Sequence, residues 1–208
     1  MNLDVVIRIM LVDDHPMMRA GIRASLNDEP DMKVVVELAD GQDAIEAFPK
    51  YTPDLVVMDL QMPRTDGIQA IKCIHEMAPQ TPIVVLTTYS GDARVNRALS
   101  SGATSYLLKT ASSREITDTL RAAFLGRRHV TSEVLDDVHG HHGEEQLNAR
   151  ELSVLELASQ GLSNREIGVY LRVAEETIKS RMKAILAKLN ANDRTHAVRI
   201  AIRRGFLN

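Results

Sequence analysis

Short continuous apolar runs in the first half of the chain constrain its fold more than any other feature. The runs occupy residues 7–12, 55–58, 83–86 and 106–108. Runs of Val, Ile and Leu separated by helical stretches are typical of parallel strands that are buried on both faces. The alternation predicts five β-α units with right-handed crossovers, which form a doubly wound α/β domain around a five-stranded parallel sheet.

A polar residue capable of chemistry stands at the end of each of these runs. Asp13 and Asp14 follow the first run, Asp59 the second, Thr87 the third and Lys109 the last. In an open parallel sheet, functional groups gather outside the carboxyl ends of the strands. We therefore expect the three acids, the hydroxyl and the amine to meet at one edge of the sheet.

The expected cluster suits phosphoryl transfer. Crowded carboxylates repel one another, and a hard divalent cation with oxygen ligands, such as Mg2+, relieves the repulsion. Asp59 is the best candidate nucleophile because it ends the central apolar strand, while Asp13 and Asp14 would bind the metal. Lys109 and Thr87 would hold the oxygens of the transferred group. Each acid taken alone could instead be a turn residue or a helix cap.

These motifs are similar to those of the receiver domain of bacterial two-component response regulators. The similarity extends over residues 5–126, and its matching segments are 10–16, 54–67, 85–88 and 102–109. It implies a flavodoxin-like fold in which a histidine kinase phosphorylates Asp59. It also implies that Mg2+ is bound by Asp13, Asp14, Asp59 and the main-chain carbonyl of Gln61.

The same resemblance implies a switch pair and a limited enzymatic role. Thr87 and Tyr106 resemble the receiver pair in which the hydroxyl moves to the phosphoryl group and the aromatic ring turns inward. Lys109 would pair with the phosphoryl group, and Thr110 stands where many receivers have proline. No dedicated general base is recognisable, so we expect no enzyme activity beyond phosphorylation and dephosphorylation of the receiver itself. A hydrolase acting on other phosphomonoesters is the alternative from a different class.

Charge and composition divide the chain into two parts. Residues 147–208 hold 11 basic and 6 acidic residues, whereas residues 1–146 hold 14 and 22. A stretch rich in glycine and histidine at 139–143 lies near this division and predicts a flexible linker. We expect a phosphoacceptor domain over 1–127, a linker over 128–146 and a basic helical domain over 147–208 that could face a polyanion.

The second part has a purely helical pattern. Asn148 with Glu151, and Ser163 with Glu166, have the spacing of a capping box at a helix start. The pattern predicts four helices, at 149–160, 164–171, 175–189 and 194–204. Apolar residues recur at helical spacing along them and should form one small core.

The third of these helices has an apolar face and a basic face. A short helix, a tight turn and a basic helix form the geometry of a helix-turn-helix, whose second helix enters the major groove of DNA. A solvated charged face on a helical bundle would show the same pattern. The segments 147–167, 176–181 and 188–195 are similar to the LuxR-type helix-turn-helix of the NarL/FixJ family. This resemblance favours double-stranded DNA as the partner.

The second resemblance also implies candidate contacts by position. Lys179, Ser180 and Lys183 fall on the family's base-reading positions, and Arg181 replaces a common histidine on the same DNA-binding helix. Further residues would contact phosphates or brace the helix: Thr177, Lys188 and Arg194. The final helix usually dimerises, and its candidate face here is formed by Val198, Ala201 and Ile202.

Two departures from the family pattern bear on stability. Ala174 stands where the family has a capping serine, and Gly168 stands where it has alanine inside a helix. Each is expected to cost about 1 kcal/mol of stability. A domain with both departures would be stabilised further by DNA or by dimerisation.

Together these observations predict a phosphorylation-dependent transcriptional regulator that forms a homodimer on activation. The alternative is a constitutive DNA-binding protein whose receiver serves only as a dimerisation module. No apolar run is long enough for a membrane span, and no signal peptide is recognisable. The single cysteine, Cys73, suits a reducing compartment. We therefore expect a cytoplasmic protein without a membrane partner.

Overall fold

The computed structural model describes residues 5–88, 91–127, 129–130 and 147–207. These residues divide into two compact units, one containing a parallel sheet and the other containing the last four helices.

Strands and helices alternate along the first part of the chain. The strands are β1 (Ile7–Val12), β2 (Met32–Leu38), β3 (Leu55–Met58), β4 (Ile83–Thr87), β5 (Ser105–Leu108) and β6 (His129–Val130). The helices are α1 (Pro16–Asn27), α2 (Gly41–Tyr51), α3 (Gly67–Met77), α4 (Asp92–Ser100) and α5 (Ser113–Phe124). All strand pairs are parallel, in the order β2-β1-β3-β4-β5-β6. The predicted doubly wound fold with a five-stranded parallel core is confirmed.

A sixth, very short strand extends the sheet at one edge. His129 and Val130 pair with Ser105 and Tyr106 of β5. These two residues fall within the predicted linker, and they are too few to show a strand period in the sequence. The rest of the predicted linker, 131–146, lies outside the described residues.

Both faces of the sheet are covered, which explains the continuous apolar runs. Leu11, Val57 and Leu86 belong to a core that also contains Leu26 of α1 and Leu120 of α5. On the intervening positions, side chains are equally buried, as expected for strands between two helical layers. These are Met10, Val56, Met58 and Val85. The positions of the strand ends are therefore fixed by packing on both sides.

The second unit consists of four helices. They are α6 (Ala149–Ser159), α7 (Asn164–Leu171), α8 (Glu175–Lys188) and α9 (Arg194–Arg204). Each of the four helix predictions is confirmed to within one residue. Capping boxes at Asn148–Glu151 and Ser163–Glu166 are also confirmed, because the side chain and backbone of each pair exchange hydrogen bonds.

The small core of this unit contains the apolar residues that the helical period selected. Val154, Leu155, Ile167, Ile178 and Ile185 are fully buried, and Leu162 and Leu171 pack against them while partly exposed. Helix α8 contributes three residues to this core and leaves its opposite face to solvent. The core thereby fixes which side chains of α8 can reach a partner.

Both departures from the family pattern have structural consequences at α8. Ala174 is the N-cap of α8 and makes no side-chain capping bond. A Cβ added at Gly168 would lie 2.9 Å from the carbonyl oxygen of Val173. The glycine therefore relieves a close backbone approach in the turn between α7 and α8, and alanine there would gain less than the helix-propensity difference of about 1 kcal/mol.

Among the described residues, no helix is both long enough and apolar enough to cross a membrane.

Candidate functional site

The ends of four neighbouring strands are held together by backbone hydrogen bonds that continue the sheet into the site. Asp13 N–H donates to the carbonyl of Leu38, and Asp59 N–H donates to that of Val12, at 3.0 and 2.9 Å. Lys109 N–H donates to the carbonyl of Thr87 at 2.7 Å. Because these bonds fix the backbone on each strand, the side chains of Asp13, Asp59, Thr87 and Lys109 start from defined positions at one edge.

Lys109 joins two of the acids in a buried cluster. Its Nζ lies 2.7 Å from Asp13 Oδ2 and 2.8 Å from Asp59 Oδ2. The three side chains are 5%, 2% and 4% exposed, respectively. Two carboxylates and one ammonium give the cluster a net negative charge, which a further cation would balance.

The electrostatic environment of the cluster shifts its pKa values. Burial raises the pKa of Asp59 above its ordinary value, although the hydrogen bond and charge of Lys109 oppose the shift. Burial disfavours the charged form of Lys109, but hydrogen bonds to Asp13 and Asp59 outweigh it, so its pKa is raised. The lysine therefore stays charged, and it supports the ionised form of Asp59.

The second carboxylate oxygen of Asp59 is oriented by backbone amides. Leu60 N–H donates to Asp59 Oδ1 at 2.7 Å, and Gln61 N–H lies 3.4 Å from the same atom. Both residues belong to the loop after β3. With Oδ2 bonded to Lys109 and Oδ1 bonded to the loop, the carboxylate has one orientation in this structure.

Gly67 makes this loop possible. A Cβ at Gly67 would lie 2.1 Å from the carbonyl oxygen of Asp59 and 2.7 Å from Leu60 Cα. Gly67 N–H donates to the carbonyl of Leu60, and Asp66 caps α3 by accepting from Ile68 N–H. The sequence analysis assigned no site role to Gly67, and its only signal was the Asp-Gly pair before a helix.

Asp14 and His15 complete the acidic cluster. One side-chain ligand atom from each of Asp13, Asp14, His15 and Asp59 lies within 4.8 Å of the others. Within the described part of the chain, Asp14 Oδ1 makes no hydrogen bond of ordinary geometry, although His15 Nδ1 lies 2.7 Å away. His15 was not predicted as part of the site.

This donor set fits the Mg2+ that the sequence analysis expects. Carboxylate oxygens from three acids are hard ligands, and the underused oxygen of Asp14 faces the same space as the Asp13–Asp59 pair. Asp13, Asp14 and Asp59 are thus the residues that could hold the ion by side chain. The carbonyl of Gln61 remains a candidate ligand from the adjoining loop.

Thr87 and Tyr106 lie on adjacent strands beside the cluster. Both residues are fully buried. The hydroxyl of Thr87 makes no hydrogen bond with any described residue, whereas Lys109 beside it is fully paired. Tyr106 is paired in register with Val85, two residues before Thr87. A buried hydroxyl without a partner is rare, and it marks a place where a further polar group can bind.

The predicted DNA-binding residues fall into exposed and bracing groups. Lys179, Ser180 and Lys183 are exposed on one side of α8, while Thr177 and Arg181 are partly buried beside them. The nearest acids raise the pKa of Lys179, chiefly through its hydrogen bond with Glu176 and also through Glu175, both within 3.4 Å. Lys179, Ser180 and Lys183 thus form the exposed face of α8, and Thr177 and Arg181 flank it.

Lys188 and Arg194 make contacts within the helical unit. Lys188 Nζ lies 3.0 Å from Glu151 Oε2, which ties the end of α8 to the start of α6. The guanidinium of Arg194 donates to the carbonyls of Ala158 and Leu162 at the end of α6. These contacts are consistent with the bracing role, and a phosphate contact remains the other prediction for these residues.

The predicted dimer face of α9 is only partly exposed. Ile202 is 47% exposed, and Val198 packs partly against the core. Ala201 is fully buried among core residues. Its inclusion in a dimer surface was wrong, because the helical period that places Val198 and Ile202 outward turns Ala201 toward the core.

Comparisons with known proteins agree with both halves of this description. The model of the response regulator receiver domain matches residues 9–121, and that of the luxR family of bacterial regulatory proteins matches residues 145–201. The transcriptional regulatory protein LiaR of Bacillus subtilis (strain 168) is 39% identical over 211 residues, which cover 98% of this chain and 100% of LiaR. Both matching families describe regulatory domains rather than enzymes.

Solved structures show the same two-part architecture. RcsB from Salmonella enterica serovar Typhimurium, bound to a promoter with the phosphomimetic BeF3−, is 28% identical with a TM-score of 0.74. That match covers 93% of this chain and 97% of the RcsB chain. The response regulator ChrA of a heme-sensing two-component system is 36% identical with a TM-score of 0.58, covering 97% and 98% of the two chains.

The fold, the acidic cluster and these matches define a DNA-binding regulator of the two-component type. The chain belongs to the NarL/FixJ family of response regulators, in which a receiver domain is joined to a LuxR-type helix-turn-helix domain.

Proposed function

We propose that a histidine kinase phosphorylates Asp59 of this transcriptional regulator and thereby controls its binding to DNA. The observation that carries the proposal is the buried arrangement of Asp59, Lys109 and Asp13 next to the unpaired hydroxyl of Thr87. It combines a nucleophile, a cation and a hydrogen-bond donor at one strand edge. The proposed domain bounds remain 1–127 and 147–208, and the proposed compartment is the cytoplasm.

Transfer forms an acyl phosphate. A carboxylate oxygen of Asp59 bonds to phosphorus as the bond between phosphorus and the kinase histidine breaks. The Lys109 ammonium then pairs with a phosphoryl oxygen, and the Thr87 hydroxyl donates to another. Asp13, Asp14 and the carbonyl of Gln61 would hold Mg2+, which when bound neutralises charge on the phosphoryl oxygens.

The signal leaves the site through Thr87 and Tyr106. Movement of the Thr87 hydroxyl toward the phosphoryl group changes the space beside Tyr106 on the neighbouring strand. The surface near β4 and β5 then changes shape, and a two-fold dimer forms. Two copies of α8 would bind paired half-sites about one helical turn apart.

At the DNA, exposed residues of α8 make the contacts. Lys179, Ser180 and Lys183 are proposed to reach base edges, while Thr177 and Arg181 contact the backbone. Lys188 and Arg194 hold α8 and α9 against α6, and so act on binding through the shape of the unit.

The test compares wild type with Asp59→Asn, each with and without Mg2+ and beryllofluoride, using light scattering and duplex binding. We expect only the wild type to dimerise and to bind DNA more tightly when activated. Asp118→Asn, which removes an exposed acid from α5, is the matched control and should respond as the wild type does.

An equal response of Asp59→Asn and wild type would contradict the proposal. Dimers and DNA binding that are the same in every condition would instead support the constitutive regulator whose receiver is only a dimerisation module. Turnover of an added phosphomonoester would support the hydrolase alternative.

A further inference from the structure

We propose that Arg150 and Arg181 together bind one phosphate of the DNA backbone, beside the face of α8 that reads the groove. Arg150 lies at the start of α6, outside the recognition helix, and the sequence analysis gave it no role. The inference rests on the proposed function, because it needs α8 to lie in the major groove.

The two arginines form the wall between two adjoining surface depressions, which we name the arginine notch. One depression has a volume of about 450 Å3 and the other about 330 Å3, and Arg150 and Arg181 line both. The first is completed by Ser153, Leu171 and Val173, and the second by Asn148, Glu151, Thr177, Ser180 and Ala184. Both arginine side chains therefore border the same concave surface.

The notch carries positive charge that nothing within the described residues neutralises. Neither Arg150 nor Arg181 makes a side-chain hydrogen bond or ion pair with a described residue. Glu151 is the one acid that lines the notch, and its carboxylate already has partners within the unit. It accepts from Asn148 N–H at 2.8 Å and pairs with Lys188 at 3.0 Å. Two arginine side chains that line one depression, and that have no partner among the described residues, fit the recognition of a phosphate.

Contrast with Lys179 supports this assignment. Lys179 lies on the same helix, yet Glu175 and Glu176 lie within 3.4 Å of its Nζ. Its charge is therefore partly used inside the protein, whereas the charge of the notch is available to a partner. Double-stranded DNA is the polyanion that fits this charge, because its backbone carries phosphates on both sides of the major groove.

The position of the notch favours a contact with a backbone phosphate over a contact with a base edge. Thr177, Ser180 and Arg181 line the notch from α8, and Arg150 lines it from the neighbouring helix. A site shared between the recognition helix and the helix packed beside it lies at the rim of the groove. Contacts there fix the register of the helix on the duplex without reading sequence.

The test uses the full chain with Mg2+ and beryllofluoride and a duplex of random sequence. Binding is measured by fluorescence anisotropy over a series of salt concentrations for Arg150→Ala, Arg181→Ala and the double variant. Each single variant should lower the slope of log K against log salt by about 0.9 per bound copy, or about eight-fold in affinity at 0.1 M salt. The double variant should lose little more, because the two arginines share one phosphate.

Matched variants separate the possible failures. Arg199→Ala, which removes an exposed arginine from α9, should bind as the wild type does, and Arg150→Lys should retain part of the affinity. If Arg150→Ala keeps the wild-type slope, or if the two losses simply add, the shared phosphate site is refuted. If Lys183→Ala is also without effect, the proposed DNA-binding face itself is wrong. Thermal unfolding of each variant checks that the unit remains folded.

Discussion

The two units of this regulator place their functional charges in opposite environments. In the sheet unit, Lys109 is buried between Asp13 and Asp59, and none of the three side chains is more than 5% exposed. In the helical unit, Lys179 and Lys183 are exposed on one face of α8. A site that transfers a phosphoryl group gains from a dry environment, because charges interact more strongly there. A surface that binds a polyanion must instead remain open to it.

This difference in burial predicts that the two sites respond differently to substitutions. A buried charge cluster depends on the exact course of the backbone around it, whereas an exposed basic face depends mainly on the integrity of the small core behind it. The following variants test that contrast, and each has a control in the same element or unit.

The largest effect is expected from Gly67→Ala. Its Cβ would lie 2.1 Å from the carbonyl oxygen of Asp59, so the loop that orients Asp59 must move. We expect a loss of about 3 kcal/mol of unfolding free energy and loss of beryllofluoride binding. Urea unfolding and calorimetry with beryllofluoride measure the two. Gly21→Ala, where no atom of a described residue lies within 4 Å of the new Cβ, should be neutral or stabilising.

A smaller loss is expected from Lys188→Met in the helical unit. The variant removes the Lys188 ammonium from buried Glu151 and leaves, among the described residues, its capping bond to Asn148. We expect a cost of about 2 to 3 kcal/mol in unfolding free energy, measured by thermal and urea unfolding. Lys183→Met removes an exposed lysine from the same helix and should leave stability unchanged. Equal stability of the two variants would show that the Lys188–Glu151 pair is not a brace.

Arg121→Ala tests a charge network at the far side of the sheet unit. Arg121 of α5 lies 2.7 Å from Asp31 and 2.5 Å from Glu29 in the loop before β2. We expect a loss of about 1 to 2 kcal/mol at pH 7, reduced from a fully buried pair because Arg121 is partly exposed. Arg114→Ala, which removes an exposed arginine from the same helix, should cost much less.

The lowered pKa of Asp31 determines how the stability contributed by this charge network changes with pH. The hydrogen bond from Arg121 lowers the pKa of Asp31 below its ordinary value of 3.8. Its stabilising contribution is therefore present above that value and is lost as the pH falls through the lowered pKa of the folded state. Unfolding of wild type and Arg121→Ala should differ at pH 7 and converge in acid. A constant difference down to the acid limit would show that the packing of Arg121, and not its charge, stabilises the unit.

The smallest effect is a gain from Ala174→Ser. Ala174 already has the extended backbone of an N-cap, with φ −65° and ψ 145°, but it makes no capping bond. A serine hydroxyl could accept from an amide in the first turn of α8, and we expect about 1 kcal/mol of added stability. Ala187→Ser, near the other end of the helix, should give no gain. Thermal unfolding of both variants measures the difference.

Much of this structure was predictable because it follows from local patterns. Buried strands appear as apolar runs, and Asp59 and Lys109 follow them directly. Capping boxes fixed two helix starts in the same way. The pairing of Lys188 with Glu151 was not predictable, because the two residues are 37 positions apart and no period links them. The places of His15 beside the acids and of Arg150 in the notch were missed for a similar reason, since both depend on what surrounds these residues after folding.

Errors of the sequence interpretation also have a physical cause. Ala201 lies in a helix on which exposed and buried positions follow one another within one turn. Because alanine is small, its identity does not show which face of the helix it occupies. The two-residue strand β6 depends entirely on its neighbour β5 and has no pattern of its own.

In the sheet unit, the buried hydroxyl of Thr87 has no hydrogen-bond partner among the described residues. A buried polar group that stays without a hydrogen bond costs on the order of 1 to 3 kcal/mol. A phosphoryl oxygen that accepts from Thr87 returns this free energy to the activated state. Under the proposed mechanism, part of the driving force for switching would come from pairing this hydroxyl, in addition to the free energy of the phosphoryl group itself.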